Sequence, residues 1–255
     1  MQTWEIAANE FINTCAFKDD IEAVFLTGSH ASGNHDAYSD IDLYILLRDD
    51  VDYRERGNKR INGYLIEYFA NPLRQIERYI EQSHKDIRPI EIRMVLSGKV
   101  IYDINKRAQQ LIDYCTAQQQ VPYPDMSAFA RQNGLYFLWD HFDELSRAFS
   151  KHSGDVPMQY FHFIHSAFEL YSQYIKAPTT NRSKLYQWFT DKVYFDNYGL
   201  PEYADSYFKD LMIKAIECND FKAQQKIAQT IYDYVHTKMG GIDIDHFELR
   251  GPVAP

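Results

Sequence analysis

Residues 23–47, AVFLTGSHASGNHDAYSDIDLYILL, decide how this chain is read. The run opens as a buried strand and passes through Gly28-Ser29 into a polar loop. It ends in a second apolar strand that begins with Asp40 and Asp42. Residues two apart on a strand point to the same face, so the two carboxylates project together. Two hard oxygen donors on one face suit Mg²⁺. Gly28 permits a tight turn and a close backbone approach. Ser29 offers a hydroxyl and a backbone N–H to phosphate at the start of a short helix. Together these parts describe a place for a metal–nucleotide complex.

Working outward, Ile21–Thr27 is the first expected strand and Asp40–Leu47 the second. Arg48–Lys59 reads as a charged loop, and Arg60–Phe69 as a third strand holding one acid, Glu67, between Ile66 and Tyr68. Residues 3–16 show the apolar spacing of an amphipathic helix through Trp4, Ala7, Ala8, Phe11 and Ile12. Pro72 suits the first turn of a helix reaching about Ser83. A helix around Pro89, a short strand from Lys99 to Tyr102 and a helix from Lys106 to Gln120 follow.

The two prolines of VPYPDMS mark the expected domain boundary. Beyond it the apolar residues recur at three and four, as in Phe137, Trp139, Phe142, Leu145 and Phe149. Helices are expected over 127–149, 158–176, 183–194, 202–218 and 221–238, packed as an antiparallel bundle. The expectation is thus an α/β (α+β) domain with a mixed sheet over residues 1–122. An all-α bundle over 123–255 would form the acceptor side of a cleft.

The order hydrophobic-Gly-Ser, ten residues, Asp-x-Asp, then hydrophobic-acid-hydrophobic on a later strand resembles the nucleotidyltransferase superfamily related to DNA polymerase beta. Here it is carried by Gly28-Ser29, by Ser39 in front of Asp40-Ile41-Asp42-Leu43, and by Ile66-Glu67-Tyr68. The resemblance is specific over the first hundred residues and looser afterwards. It implies that Asp40, Asp42 and Glu67 are the catalytic carboxylates and hold Mg²⁺, two ions in related enzymes. It also implies that Gly28, Ser29 and Ser39 bind the nucleotide. Asn181–Trp188, NRSKLYQW, is similar to a segment in the helical domains of antibiotic adenylyltransferases. On that likeness Lys184, with Arg182 beside it, faces the nucleotide phosphates.

The helical half most resembles aminoglycoside and lincosamide nucleotidyltransferases. This implies transfer of AMP from ATP, or of another nucleoside monophosphate from its triphosphate, to a hydroxyl of a small acceptor such as an aminoglycoside-like antibiotic. Two alternatives stand beside it. One is an antitoxin-type enzyme that adenylylates a protein, although such enzymes are usually single small domains. The other is a nucleotide-binding regulatory module without turnover, against which the three intact carboxylates argue.

Composition narrows the partners. The chain has 255 residues and a formal charge of −9. Residues 1–124 carry 14 basic and 19 acidic side chains, residues 125–255 carry 13 and 17, and no basic stripe appears in either part. Nucleic-acid binders normally show such a stripe, so nucleic acid is not expected as a partner. An acidic surface suits a small cationic acceptor. No apolar run is long enough to span a bilayer, and MQTWEIAANEF lacks the basic start and apolar core of a secretory signal. Cys15, Cys115 and Cys218 lie far apart without metal-type spacing, so a reducing cytoplasmic setting is expected.

Other chemistry-bearing groups carry weaker expectations. His162, His165 and Glu169 have helical spacing that could ligate a metal, but packing or surface roles in an aromatic-rich bundle fit better. Asp243 and Asp245 imitate the Asp-x-Asp pair without a preceding Gly-Ser strand and read as solvated. His30 and His35 flank the phosphate loop. Asp140, Asp143, Glu144 and Glu169 read mainly as acids of solvated helix faces.

Overall fold

The computed structural model describes residues 3–251. The chain divides into two compact units, Met1–Pro122 with Asp191–Leu200, and Tyr123–Thr190 with Pro201–Pro255.

The first unit is built on a five-stranded mixed sheet. Its strands are β1 (Ile21–Thr27), β2 (Ile41–Leu47), β3 (Glu55–Ile61), β4 (Tyr64–Pro72) and β5 (Lys99–Asp103), in the spatial order β3-β4-β2-β1-β5. Six of seven positions in both β1 and β2 are buried. Such continuous apolar runs belong in the middle of a sheet covered on both faces. β2 and β4 pair in parallel, and every other neighbouring pair is antiparallel.

Side-chain alternation sorts the central strands onto two cores. Val24, Leu26, Leu43, Ile45, Leu47 and Ile66 pack with Phe11 and Ile12 of α1 (Thr3–Thr14). Ala23, Phe25, Tyr44 and Leu46 face Ile76 and Ile80 of α3 (Leu73–Lys85), Ile92 and Val95 of α4 (Ile90–Ser97), and Leu111 of α5 (Arg107–Gln119). Full burial of a side chain such as Phe25 or Leu26 contributes about 2 kcal/mol. By parity Asp42 and Glu67 lie on the α3–α5 face of the sheet.

The third expected strand is corrected. Arg60–Phe69 is not one strand but the turn of a hairpin with parts of both arms. Asn62 (φ 51°) and Gly63 (φ 86°) form the two-residue connection, with Ile61 opposite Tyr64. Two adjacent residues at positive φ match the twist of a tight hairpin, and Asn-Gly meets that demand at low steric cost. The segment read as a charged loop supplies β3 instead. Only Ile61 of ERGNKRI is buried, as suits an edge strand guarded by charge.

In the second unit α6 (Ala128–Ser150), α7 (Val156–Tyr174), α10 (Ser206–Glu217) and α11 (Phe221–Lys238) form the helical body, with α8 (Leu185–Thr190) against α10. Leu135, Leu138, Leu145, Phe163, Ile164, Ala167, Ile231 and Val235 are buried within it. Ser127, Asp205 and Asp220 accept the backbone N–H of Ala130, Phe208 and Ala223 and so cap α6, α10 and α11. The expected helix 183–194 is broken. Asp191 leaves helical geometry and its carboxylate accepts from the N–H groups of Val193 and Tyr194, starting α9 (Lys192–Asn197), which groups with the first unit.

Candidate active site

The candidate site starts from two strands. Asp42 is the second residue of β2 and Glu67 the fourth of β4, and in their parallel register they are direct partners. Opposed residues on neighbouring strands point to the same face, so the pairing brings the two carboxylates together. Asp40 lies two residues before Asp42. Oxygens of Asp40, Asp42 and Glu67 come within 4.8 Å of one another, and all three residues are half-buried. This is the only such acidic or metal-ligating group of three among the described residues.

Electrostatics make the cluster unfavourable as it stands. Burial, reinforced by the charges of Asp40 and Glu67, pushes the Asp42 carboxyl up to about 7. One cation helps: Arg56 Nη2 donates to Glu67 Oε1 at 3.0 Å while its guanidinium lies over the Phe69 ring, 4.5 Å from the centroid. That arginine is well exposed, with 69% of its side chain accessible. The donor set is all-carboxylate, hard and convergent, which fits a divalent cation such as Mg²⁺.

Gly28 is required by this geometry. It opens α2 (Gly28–Ser32) at φ +64°. A Cβ built there would stand 1.9 Å from Asp42 Oδ2. The β1–α2 turn is therefore in contact with the Asp42 carboxylate, and no side chain can occupy the turn without displacing it. Thr27 Oγ1 donates to the Asp42 backbone carbonyl at 3.4 Å, beside the same junction. Ser29 is half-buried on α2.

The loop leading into Asp40 is ordered by its own side chains. Asp36 Oδ1 accepts from the N–H of Tyr38 at 2.8 Å and from Ser39 Oγ at 3.1 Å, and the N–H of Asp36 donates to Ser39 Oγ at 2.9 Å. These bonds, the Tyr38 N–H foremost, hold the Asp36 carboxyl below its ordinary range. Ser39 thus closes the turn and also lines an open groove of about 1130 Å³ with Trp4, His35, Tyr38, Arg60 and Tyr64. His30 is buried, its ring 4.4 Å from that of His35 and 5.2 Å from that of Trp4.

Lys184 and Arg182 lie in the second unit, in a 3-10 turn at Arg182–Lys184, and both are exposed. Arg182 makes a forked contact with Glu169, Nε to Oε1 at 2.6 Å and Nη2 to Oε2 at 2.7 Å. His162, His165 and Glu169 do not converge. His162 turns to His141, Glu169 to Arg182, and His165 is buried against the ring of Phe161. Asp243 is paired with His246 and stands in the exposed tail. Arg56 was missed in the sequence because its strand read as loop. The signal that could have found it is Asn62-Gly63, which implies a preceding arm to the hairpin.

A curated protein of Methanocaldococcus jannaschii, named as a candidate protein adenylyltransferase, is 28% identical over 101 residues, spanning 37% of this chain and 69% of that one. The crystal structure of a nucleotidyltransferase-like protein from Exiguobacterium sibiricum overlays with a TM-score of 0.45 at 11% identity, covering 91% of this chain and 74% of that one, a likeness too slight to bear on function. No helix of the described residues is long and apolar enough to cross a membrane. Residues 8–114 match the nucleotidyltransferase domain family, and this matched part of the chain holds the paired strands and the acidic triad.

Proposed function

We propose that the chain transfers a nucleoside monophosphate, AMP from ATP in the first instance, to an acceptor hydroxyl. The convergence of Asp40, Asp42 and Glu67 with Gly28 against Asp42 carries this reading. The three carboxylates would hold Mg²⁺, two ions by analogy with the superfamily. Bound there, the metal would offset charge on the triphosphate and departing pyrophosphate and make the acceptor hydroxyl easier to deprotonate. Gly28, Ser29 and Ser39 would hold the triphosphate by close backbone approach and hydroxyl donation. In this reading the acceptor oxygen attacks the α-phosphorus, the bond to the pyrophosphate oxygen breaks, and the hydroxyl proton passes to a carboxylate, for which Glu67 is the proposed group.

Two classes of acceptor remain in play for distinct reasons. The acidic balance of the chain and its added helical unit support a small cationic, hydroxylated acceptor of the aminoglycoside kind. The name of the Methanocaldococcus jannaschii relative supports a protein hydroxyl instead. Incubating the purified protein with Mg²⁺, each α-labelled nucleoside triphosphate and either a panel of small hydroxylated compounds or candidate protein acceptors separates them. Label should move to one class with release of pyrophosphate. Small-acceptor binding should weaken as salt rises, because the attraction is screened. Nucleotide binding without transfer to any acceptor would overturn the proposal in favour of a regulatory module.

A further inference from the structure

We propose that the edge strand β3 supplies the anion-holding wall of the site: Arg56, with Arg60, takes the β- and γ-phosphates of the nucleoside triphosphate once Glu67 is given over to a metal ion. The inference rests on the nucleotidyl-transfer reading above. It adds the groups that hold the leaving pyrophosphate and makes tight nucleotide binding conditional on the metal.

The placement follows from register. Asn58 is the partner of Glu67 across the β3–β4 ladder, as Asp42 is across the β2–β4 ladder. Directly opposed residues share a face, so Asp42, Glu67 and Asn58 form one row across three strands. Arg56 and Arg60 lie two residues to either side of Asn58 and point to the same face. All three of these β3 residues are exposed. Arg60 also lines the groove that Ser39 borders, next in sequence to Asp40. Two guanidinium groups therefore flank the triad on its own side of the sheet.

Arg56 is engaged there, but lightly. Its Nη2 donates to Glu67 Oε1 at 3.0 Å, with 69% of the arginine side chain accessible. An ion pair so exposed is weakly held. Glu67 is also one of three converging carboxylates that suit a divalent cation, and an oxygen given to that cation is a poorer acceptor for Arg56. The guanidinium then keeps its place over the Phe69 ring, 4.5 Å from the centroid, with its fork of donors free. That fork meets two oxygens of one phosphate at once. A triphosphate is repelled by bare carboxylates. With their charge offset and two arginines beside them, the same face attracts it. One side chain thus serves Glu67 before the nucleotide arrives and the phosphates afterwards.

Calorimetric titration of the full chain tests this, first with Mg²⁺ alone and then with α,β-methylene ATP at saturating Mg²⁺. In Arg56→Gln the two affinities should move in opposite directions. The analogue should bind roughly tenfold or more weakly, because a charge-assisted contact to phosphate is lost. Mg²⁺ alone should bind about two- to fivefold more tightly, because a competitor for Glu67 is gone. A merely structural role would weaken both together. Arg56→Lys, which keeps the charge without the fork, should recover part of the analogue affinity. Arg60→Gln should weaken the analogue and leave Mg²⁺ binding nearly unchanged, and it carries the test should Arg56→Gln fold poorly. No binding of the analogue to the wild-type chain would overturn the transfer reading itself. Wild-type affinity for the analogue in both glutamine variants would overturn this inference alone, as would unchanged or weaker Mg²⁺ binding in Arg56→Gln. Unchanged analogue affinity with a raised acceptor KM would give the row to an anionic acceptor and overturn it equally.

Discussion

Asp42 and Glu67 are register partners on adjacent parallel strands, so backbone pairing itself presses two carboxylates together. Asp40, two residues upstream, adds a third. A sheet does not place acids opposite each other for stability, since like charges so arranged repel. The cost is visible in Asp42, which burial first and its two acidic neighbours next push up to about 7. The arrangement makes sense if a divalent cation supplies the missing charge.

The raised Asp42 pKa fixes the direction of a pH effect. The folded value of about 7 lies above the ordinary 3.8, so between these values the folded chain holds a proton that the unfolded chain releases. The associated stability is present below pH 3.8 and is lost as pH rises towards 7. Mg²⁺ must displace that proton, so its affinity should climb by up to roughly tenfold per pH unit below about 7 and level off above it. Calorimetric titrations across that range measure this, and a flat affinity would sink the explanation. Asp42→Asn, neutral throughout, should melt no lower than metal-free wild type above neutrality while losing nucleotidyl transfer by about a hundredfold or more.

Gly28 and Gly33 offer a matched contrast at the two ends of α2. Both have positive φ, +64° and +80°. A Cβ at Gly28 would collide with Asp42 Oδ2, whereas one at Gly33 meets nothing within 4 Å. Each alanine substitution should cost about 1–2 kcal/mol for its backbone conformation. Gly28→Ala should in addition displace the carboxylate and cut both Mg²⁺ affinity and turnover, while Gly33→Ala should keep turnover near wild type. Thermal melts with steady-state kinetics separate the two effects. Equal turnover in both variants would show that the close approach of Gly28 to Asp42 is immaterial.

The parts of this fold legible in the sequence are those where burial imposes a pattern. β1 and β2 were readable because both faces are covered, which leaves apolar runs broken only at Glu22 and Asp42. α11 was readable because its apolar stripe and its Asp220 cap agree. β3 was not, because a charged edge strand has no buried face to set an alternation, and Arg56 was lost with it. The break at Asp191 was hidden because Trp188, Phe189 and Tyr194 continue a helical spacing across it. The meeting of His141 and His162 depends on how two helices lie side by side. Spacing along one helix pointed instead to His165 and Glu169, which face other partners.

Glu67 is the residue whose role the geometry leaves to chemistry. It faces Asp42 on one side and Arg56, at 3.0 Å, on the other. The exposed Arg56 contact contributes at most about 1 kcal/mol, so it does not hold Glu67 away from a stronger cation. Glu67→Gln keeps the shape and the hydrogen bonding but removes the charge. It should also lower the repulsion on Asp42, whose pKa then falls towards its ordinary range. As a ligand and proton acceptor together, Glu67 should give a variant with steeply reduced turnover and weaker Mg²⁺ binding, the loss in turnover persisting when Mg²⁺ and nucleotide are saturating. A ligand role alone would let saturating Mg²⁺ restore turnover, and a base role alone would leave Mg²⁺ affinity nearly unchanged. Wild-type turnover in Glu67→Gln at saturating Mg²⁺ and nucleotide, with unchanged Mg²⁺ affinity, would remove this residue from the site and leave the two aspartates to carry the metal.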